Sequence, residues 1–71
     1  MNYNYSKLKG RIIEKYGSQG SFAEAIGKTR TTTSFKINGK ASWNQDEIIK
    51  AIELLDLSKD DIVEYFFNYY Y

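Results

Sequence analysis

The segment KTRTTTSFKINGK, residues 28–40, concentrates hydroxyl, amide, ammonium and guanidinium groups in one short stretch. Three successive threonines, residues 31–33, lie where the surrounding pattern predicts a helix. Threonine is a mediocre helix former because its branched β-carbon restricts χ1 against the preceding turn. Such side chains can hydrogen-bond base edges and phosphates, or they can do no more than cap a solvated helix. We favour the binding interpretation over the capping one.

Length and composition narrow the classes of function. The 71 residues predict one domain over 1–71, with an ordered core at about 5–67 and an aromatic tail at 68–71. The chain contains no cysteine and no histidine, which excludes a disulfide framework, a zinc site and catalysis by those side chains. It also has no phosphate-binding glycine loop. We therefore expect no enzyme, no cofactor, no metal and no small-molecule substrate.

The N-terminus is too polar for a secretory signal, and no stretch reaches the roughly 18 apolar residues of a membrane span. A cytoplasmic protein without a membrane partner is expected.

Charge is distributed unequally along the chain. Residues 1–43 carry eight basic and two acidic side chains, a net charge of +6, whereas residues 44–71 carry two basic and seven acidic ones, a net charge of −5. An asymmetry of this size indicates that one face meets a polyanion.

Capping and turn residues, together with the spacing of apolar residues, predict about five short helices. Ser6 is a plausible N-cap for a helix that ends at Gly17, and Gly27 ends a second helix that begins near Gln19. Thr29 caps a third helix that runs to about Ile37. Asn44 and Glu47 have capping-box spacing before a fourth helix, and Ser58 with Asp61 repeats the signal before a fifth. No segment shows sustained alternation, so the predicted fold is all-α.

The second and third helices have the pattern of a helix-turn-helix. Ala23 is small where the two helices would cross, and Gly27 can adopt the left-handed conformation that the turn needs. The helix at about 29–37 would then present its polar side chains in the major groove of DNA. Arg30 can donate two hydrogen bonds to guanine, and a threonine methyl can touch the methyl group of thymine.

The run QGSFAEAIGKTRTTTSFKING, residues 19–39, resembles the helix-turn-helix of lambda-repressor-like and Cro-like phage DNA-binding domains. It matches in the leading Gln19, in Ala23 at the fifth position, in Gly27 at the ninth and in the closing Asn38-Gly39. The flanks KLKGRIIEKYGSQ, W-x-QDEIIKA-x-ELL and EYFF resemble small Cro-like proteins of Gram-positive prophages. The resemblance extends from Tyr5 to Phe67.

The resemblance implies a compact five-helix domain whose third helix reads operator DNA, usually as a weak two-fold dimer. By position, the residues implied to contact bases are Thr29, Arg30, Thr31, Thr32 and Ser34. Those implied to hold the DNA backbone are Gln19, Lys28, Lys36, Asn38, Lys40 and Asn44.

The third helix departs from the family pattern at three positions. Lys28 and Thr33 occupy the tenth and fifteenth positions, where the family prefers aliphatic residues, and Lys36 lies where another inward residue is common. A slight rotation of the helix would allow Phe35 and Ile37 to supply the missing packing.

Two functions remain open. The leading hypothesis is sequence-specific binding of double-stranded operator DNA as a Cro-type transcriptional repressor. The alternative is a modulator, or antirepressor, that keeps the fold but binds a phage repressor protein. The near-zero net charge, the altered inward positions and the aromatic C-terminus leave room for this alternative.

Overall fold

The computed structural model describes residues 3–68, which form five α-helices and no strand. The helices are α1 (Ser6–Tyr16), α2 (Gln19–Ile26), α3 (Arg30–Ile37), α4 (Gln45–Leu54) and α5 (Ile62–Phe66), the last preceded by a 3₁₀ turn at Lys59–Asp61. The all-α prediction with five helices is confirmed. In the tail, residues 69–71 lie outside the described residues. None of the helices within 3–68 has the length and apolar character to span a membrane.

The predicted helix boundaries follow the capping groups closely. Gly17 and Gly27 each have φ of 79°, so both helices end in the left-handed conformation that glycine adopts without strain. The Thr29 hydroxyl accepts the Thr32 amide at the start of α3. Asn44 and Glu47 form a reciprocal capping box at the start of α4.

The starts of α1 and α5 differ from the prediction. Ser6 is the first residue of α1 and not its cap; its amide donates instead to Oδ1 of Asn4, at 3.0 Å. Asp61 accepts from the Ser58 amide as predicted, but the turn it opens is 3₁₀ before α5 begins. The short last helix therefore starts in the tighter geometry that is frequent at helix ends.

One apolar core joins all five helices. The largest fully buried side chains are Leu8, Ile12, Phe22, Ile37, Leu55 and Phe66. Trp43 meets the ring of Phe66 edge to face, with ring centroids 5.2 Å apart, and packs against this core. The helix-turn-helix pair thus packs on the core that it shares with α1, α4 and α5.

Several opposite charges of the two halves of the chain pair in the folded molecule. Four ion pairs of the described residues join the halves: Lys7–Glu64, Lys15–Asp56, Lys28–Glu47 and Lys36–Glu47. Half of the eight basic residues of the first half thus have a carboxylate partner from the second half, and the expectation of a face for a polyanion stays a prediction. Exposed ion pairs contribute little stability each, yet they remove these cations from the free surface charge.

Gly10 lies in the middle of α1, and a Cβ added there would meet nothing within 4 Å. We expect Gly10→Ala to stabilise the protein by about 0.5–1 kcal/mol, because alanine loses less backbone entropy in a helix. Thermal and urea denaturation followed by circular dichroism would measure the change.

Gly17→Ala is the matched control. At a φ of 79° the same added methyl group is strained, so we expect this variant to lose about 1 kcal/mol. A Gly10→Ala variant that is no more stable than the wild type would contradict the assigned geometry of α1.

Candidate functional site

The helix-turn-helix pair consists of α2 and α3 with residues 27–29 between them. Phe22, Ala23 and Ile26 are buried on the inner face of α2. The Lys28 amide donates to the Ala23 carbonyl at 3.0 Å and closes the turn. The pair therefore has the compact geometry that the spacing of Ala23 and Gly27 predicts.

The threonines of α3 have three different environments. The Thr29 hydroxyl accepts the Thr32 amide at 3.1 Å and donates to the Thr32 hydroxyl at 2.9 Å, so these two residues form the cap. Thr33 is buried, at 2% exposure. Only Thr31 is exposed with no hydrogen bond from its side chain among the described residues. The capping interpretation thus accounts for two of the five residues implied to read bases.

The amide side chains near α3 and α4 also bond within the protein. Nδ2 of Asn38 donates to the carbonyl and the hydroxyl of Ser34, at 2.9 and 3.2 Å, at the end of α3. Oδ1 of Asn44 accepts the Glu47 amide at 2.8 Å. Nδ2 of Asn38 and Oδ1 of Asn44 are thus used within the protein, whereas Nδ2 of Asn44 and the hydroxyl hydrogen of Ser34 donate no hydrogen bond among the described residues.

Two of the lysines implied to hold phosphates converge on one carboxylate. Lys36, whose side chain is only 14% exposed, forms an ion pair with Glu47 of α4. The Lys28 ammonium lies 3.7 Å from the same carboxylate oxygen. Glu47 itself is 6% exposed, so it is a buried acceptor for both cations. Lys36 is thus paired beneath α3, whereas Lys28, whose side chain is 44% exposed, shares the same single carboxylate at a longer distance.

The environment of Glu47 keeps it ionised. Burial alone would raise its pKa, but the amide of Asn44, the hydrogen bond from Lys36 and the charges of Lys36 and Lys28 together hold the pKa below its ordinary value. The carboxylate therefore carries its charge at neutral pH and can attract both lysines.

Four of the eleven implied site residues keep side chains without a hydrogen bond or ion pair in residues 3–68: Gln19, Arg30, Thr31 and Lys40. A Cβ added at Gly20 would lie 3.6 Å from Nε of Arg30, so this guanidinium lies over the first turn of α2. Arg30 and Thr31 lie side by side at the exposed start of α3. The polar surface left for a partner is therefore small.

Phe35 lies at the centre of the exposed face of α3. Its side chain is 49% exposed, so the expectation that it packs into the core is wrong, whereas Ile37 is fully buried as expected. Thr31, Phe35 and Asn38 form one outward ridge at i, i+4 and i+7. Counting the helical period from buried Ile37 could have predicted, from the sequence alone, that Phe35 faces outward. We call the exposed surface formed by Arg30, Thr31 and Phe35 the α3 face.

The α3 face presents an exposed aromatic ring, a guanidinium and a hydroxyl. No group of three or more acidic side chains within residues 3–68 is placed to hold a metal ion. An exposed ring can make apolar contact with a partner, and a guanidinium can donate hydrogen bonds to it.

The hydroxyl of Thr33 is buried without a hydrogen-bond partner among the described residues. We expect Thr33→Val to stabilise the protein by about 1 kcal/mol, because a methyl group of similar size replaces an unsatisfied polar group. Urea denaturation would measure the change, with exposed Thr31→Val as the control that should leave stability nearly unaltered. A destabilised Thr33→Val variant would show that the hydroxyl has a partner in solution.

The lowered pKa of Glu47 predicts a pH dependence of stability. The contribution of its carboxylate is complete above the ordinary pKa of a glutamate and is lost as the pH falls through the lower pKa of the folded state. We therefore expect the stability difference between wild type and Glu47→Gln to be large near pH 7 and to shrink toward about pH 3. Urea midpoints of both proteins across this range would test it. A constant difference would contradict the role of the charge.

Comparison with known proteins shows that this chain is similar in sequence and structure to a phage protein. The solution structure of the modulator of repression (MOR) of the temperate bacteriophage TP901-1 from Lactococcus lactis superposes with a TM-score of 0.83. The two sequences are 50% identical over 96% of this chain and 92% of that chain. No curated protein matches the sequence.

A family model described as "Protein of unknown function (DUF739)" matches residues 1–69. The matched range spans nearly the whole chain, including all five helices and the α3 face. The chain therefore belongs to the DUF739 family and shares the fold of a phage modulator of repression.

Proposed function

We propose that this protein is a modulator of a phage repressor, and that it binds the repressor protein through the α3 face in the cytoplasm of the bacterial host. It acts by binding and catalyses no reaction. The observation that carries the proposal is the 50% identity, over 96% of the chain, to a phage modulator of repression. This similarity supports the antirepressor alternative better than the Cro-type operator binding that led our sequence analysis.

The hydrogen bonds and ion pairs that polar side chains make within the fold also support a modulator over an operator-binding protein. Nonspecific and specific DNA binding both depend on cations that neutralise phosphates. Here Lys28 and Lys36 are paired with Glu47, and Asn38 and Asn44 are capping groups. The helix-turn-helix face thus retains few of the free donors that a DNA-binding surface needs.

The composition of the α3 face fits a protein partner. Interfaces between proteins are enriched in aromatic residues and arginine at their centres, and these residues often dominate the binding energy. Phe35 is half exposed on α3, and Arg30 is exposed at the start of the same helix. A ring in this position offers apolar contact to a protein, whereas DNA offers it little besides thymine methyl groups.

Titration calorimetry with the repressor encoded beside this protein's gene would test the proposal. We expect a complex, and we expect Phe35→Ala to weaken it by at least about ten-fold, which corresponds to roughly 1.4 kcal/mol. The control is Val63→Ala, because Val63 is 68% exposed on α5 and lies outside the α3 face. This control should leave the affinity unchanged.

Fluorescence anisotropy with DNA from the intergenic region of the gene decides between the two functions. A modulator should bind native and scrambled fragments equally weakly. Preference for the native fragment, together with no complex with the repressor, would contradict the proposal and restore operator binding. In that case Arg30→Ala should weaken binding to the native fragment by about 1–3 kcal/mol and relax the choice of one base.

A further inference from the structure

All three departures of α3 from the family pattern are polar, and two of them converge in the structure. Lys28 and Lys36 both pair with Glu47 of α4, whereas the hydroxyl of buried Thr33 has no hydrogen-bond partner among the described residues. Three sites where the resemblance implies aliphatic or inward residues are therefore occupied by polar side chains. We call Lys28, Lys36 and Glu47 the polar seam between α3 and α4.

One carboxylate in this seam contacts both ends of α3. Lys28 precedes the cap of the helix, and Lys36 lies in its last turn. The carbonyl of Lys36 also accepts a hydrogen bond from the indole of Trp43, at 3.2 Å. The end of α3 is thus held through both the side chain and the backbone of Lys36.

The apolar attachment of α3 is correspondingly small. Its buried residues are Thr33 and Ile37, and the first of these contributes a hydroxyl without a hydrogen-bond partner among the described residues. By contrast, α4 buries Glu47, Ile48, Ala51 and Ile52. A helix with few buried apolar contacts belongs to the least stable elements of a fold. The ion pairs with Glu47 therefore add to an attachment that α3 makes through Ile37 and through its packing on α2.

We propose that Glu47 is a positioning residue for α3: its carboxylate, through Lys28 and Lys36, fixes the orientation in which the α3 face meets its partner. Charged hydrogen bonds have narrow geometry, whereas apolar side chains of the same volume can pack in more than one arrangement. The seam thus specifies one orientation of Arg30 and Phe35. This inference rests on the proposed function, since the partner it concerns is the repressor.

A pair of variants separates positioning from stability. Glu47→Gln retains an oxygen that can accept the Asn44 amide, but it leaves Lys36 without its carboxylate. We expect this single variant to be less stable than the wild type. In the double variant Lys36→Met/Glu47→Gln the charges of both Lys36 and Glu47 are removed, and the remaining ammonium of Lys28 is on a side chain that is 44% exposed and so is solvated by water. The urea midpoint of the double variant should therefore return to the wild-type value or exceed it.

At this restored stability, two measurements test the role of the carboxylate. Amide hydrogen exchange of the α3 residues should be at least about ten-fold faster in the double variant, while α1 and α4 exchange as in the wild type. The affinity for the repressor encoded beside the gene should fall at least about ten-fold.

The control is Lys15→Met/Asp56→Asn, which removes an ion pair between α1 and the end of α4 with the same loss of charges. It should alter neither α3 exchange nor affinity.

The outcomes distinguish this inference from the proposed function. Unchanged exchange in α3, or unchanged affinity despite faster exchange, would overturn the positioning role of Glu47. A wild-type protein that does not bind the repressor would overturn the proposed function. The exchange measurement needs no repressor, so it would still decide whether Glu47 holds α3 in place.

Discussion

The arrangement of this domain depends on the buried carboxylate of Glu47. One oxygen accepts the Asn44 amide and completes the cap of α4, while the other faces the ammonium groups of Lys28 and Lys36. A buried charge is costly unless it is paired and hydrogen-bonded, and here the fold supplies both kinds of partner. The same carboxylate therefore starts one helix and attaches another.

The pairing at Glu47 also bears on the function. A helix-turn-helix binds DNA when its cations and amides are free to meet phosphates and bases. In this protein many of those polar side chains make contacts within the fold. Thr29 and Asn44 cap helices, and Lys36 forms an ion pair with Glu47. The exposed ring of Phe35 lies at the centre of the helix that would otherwise read bases. Such a surface suits recognition of a protein, in agreement with the proposed modulator role.

The same residues explain why sequence reasoning succeeded for the fold and was incomplete for the site. Gly17, Gly27, Thr29 and the Asn44–Glu47 box act within a few residues of themselves, so their spacing alone predicted where helices start and end. Phe35 was misplaced because the prediction assumed a slight rotation of α3 that would turn both Phe35 and Ile37 inward. Counting from Ile37 would have placed it outward.

The sequence by itself determined five helices, the glycine turn between α2 and α3, and the apolar stripes that meet in one core. These features follow from backbone preference and from a period of 3.6 residues, which are local properties. Only the tertiary structure decided the use of the charges. Lys7 meets Glu64 and Lys36 meets Glu47 because the helices fold back on one another. The separation of charges along the chain therefore becomes pairing within the molecule, since attraction depends on distance in space and not in sequence.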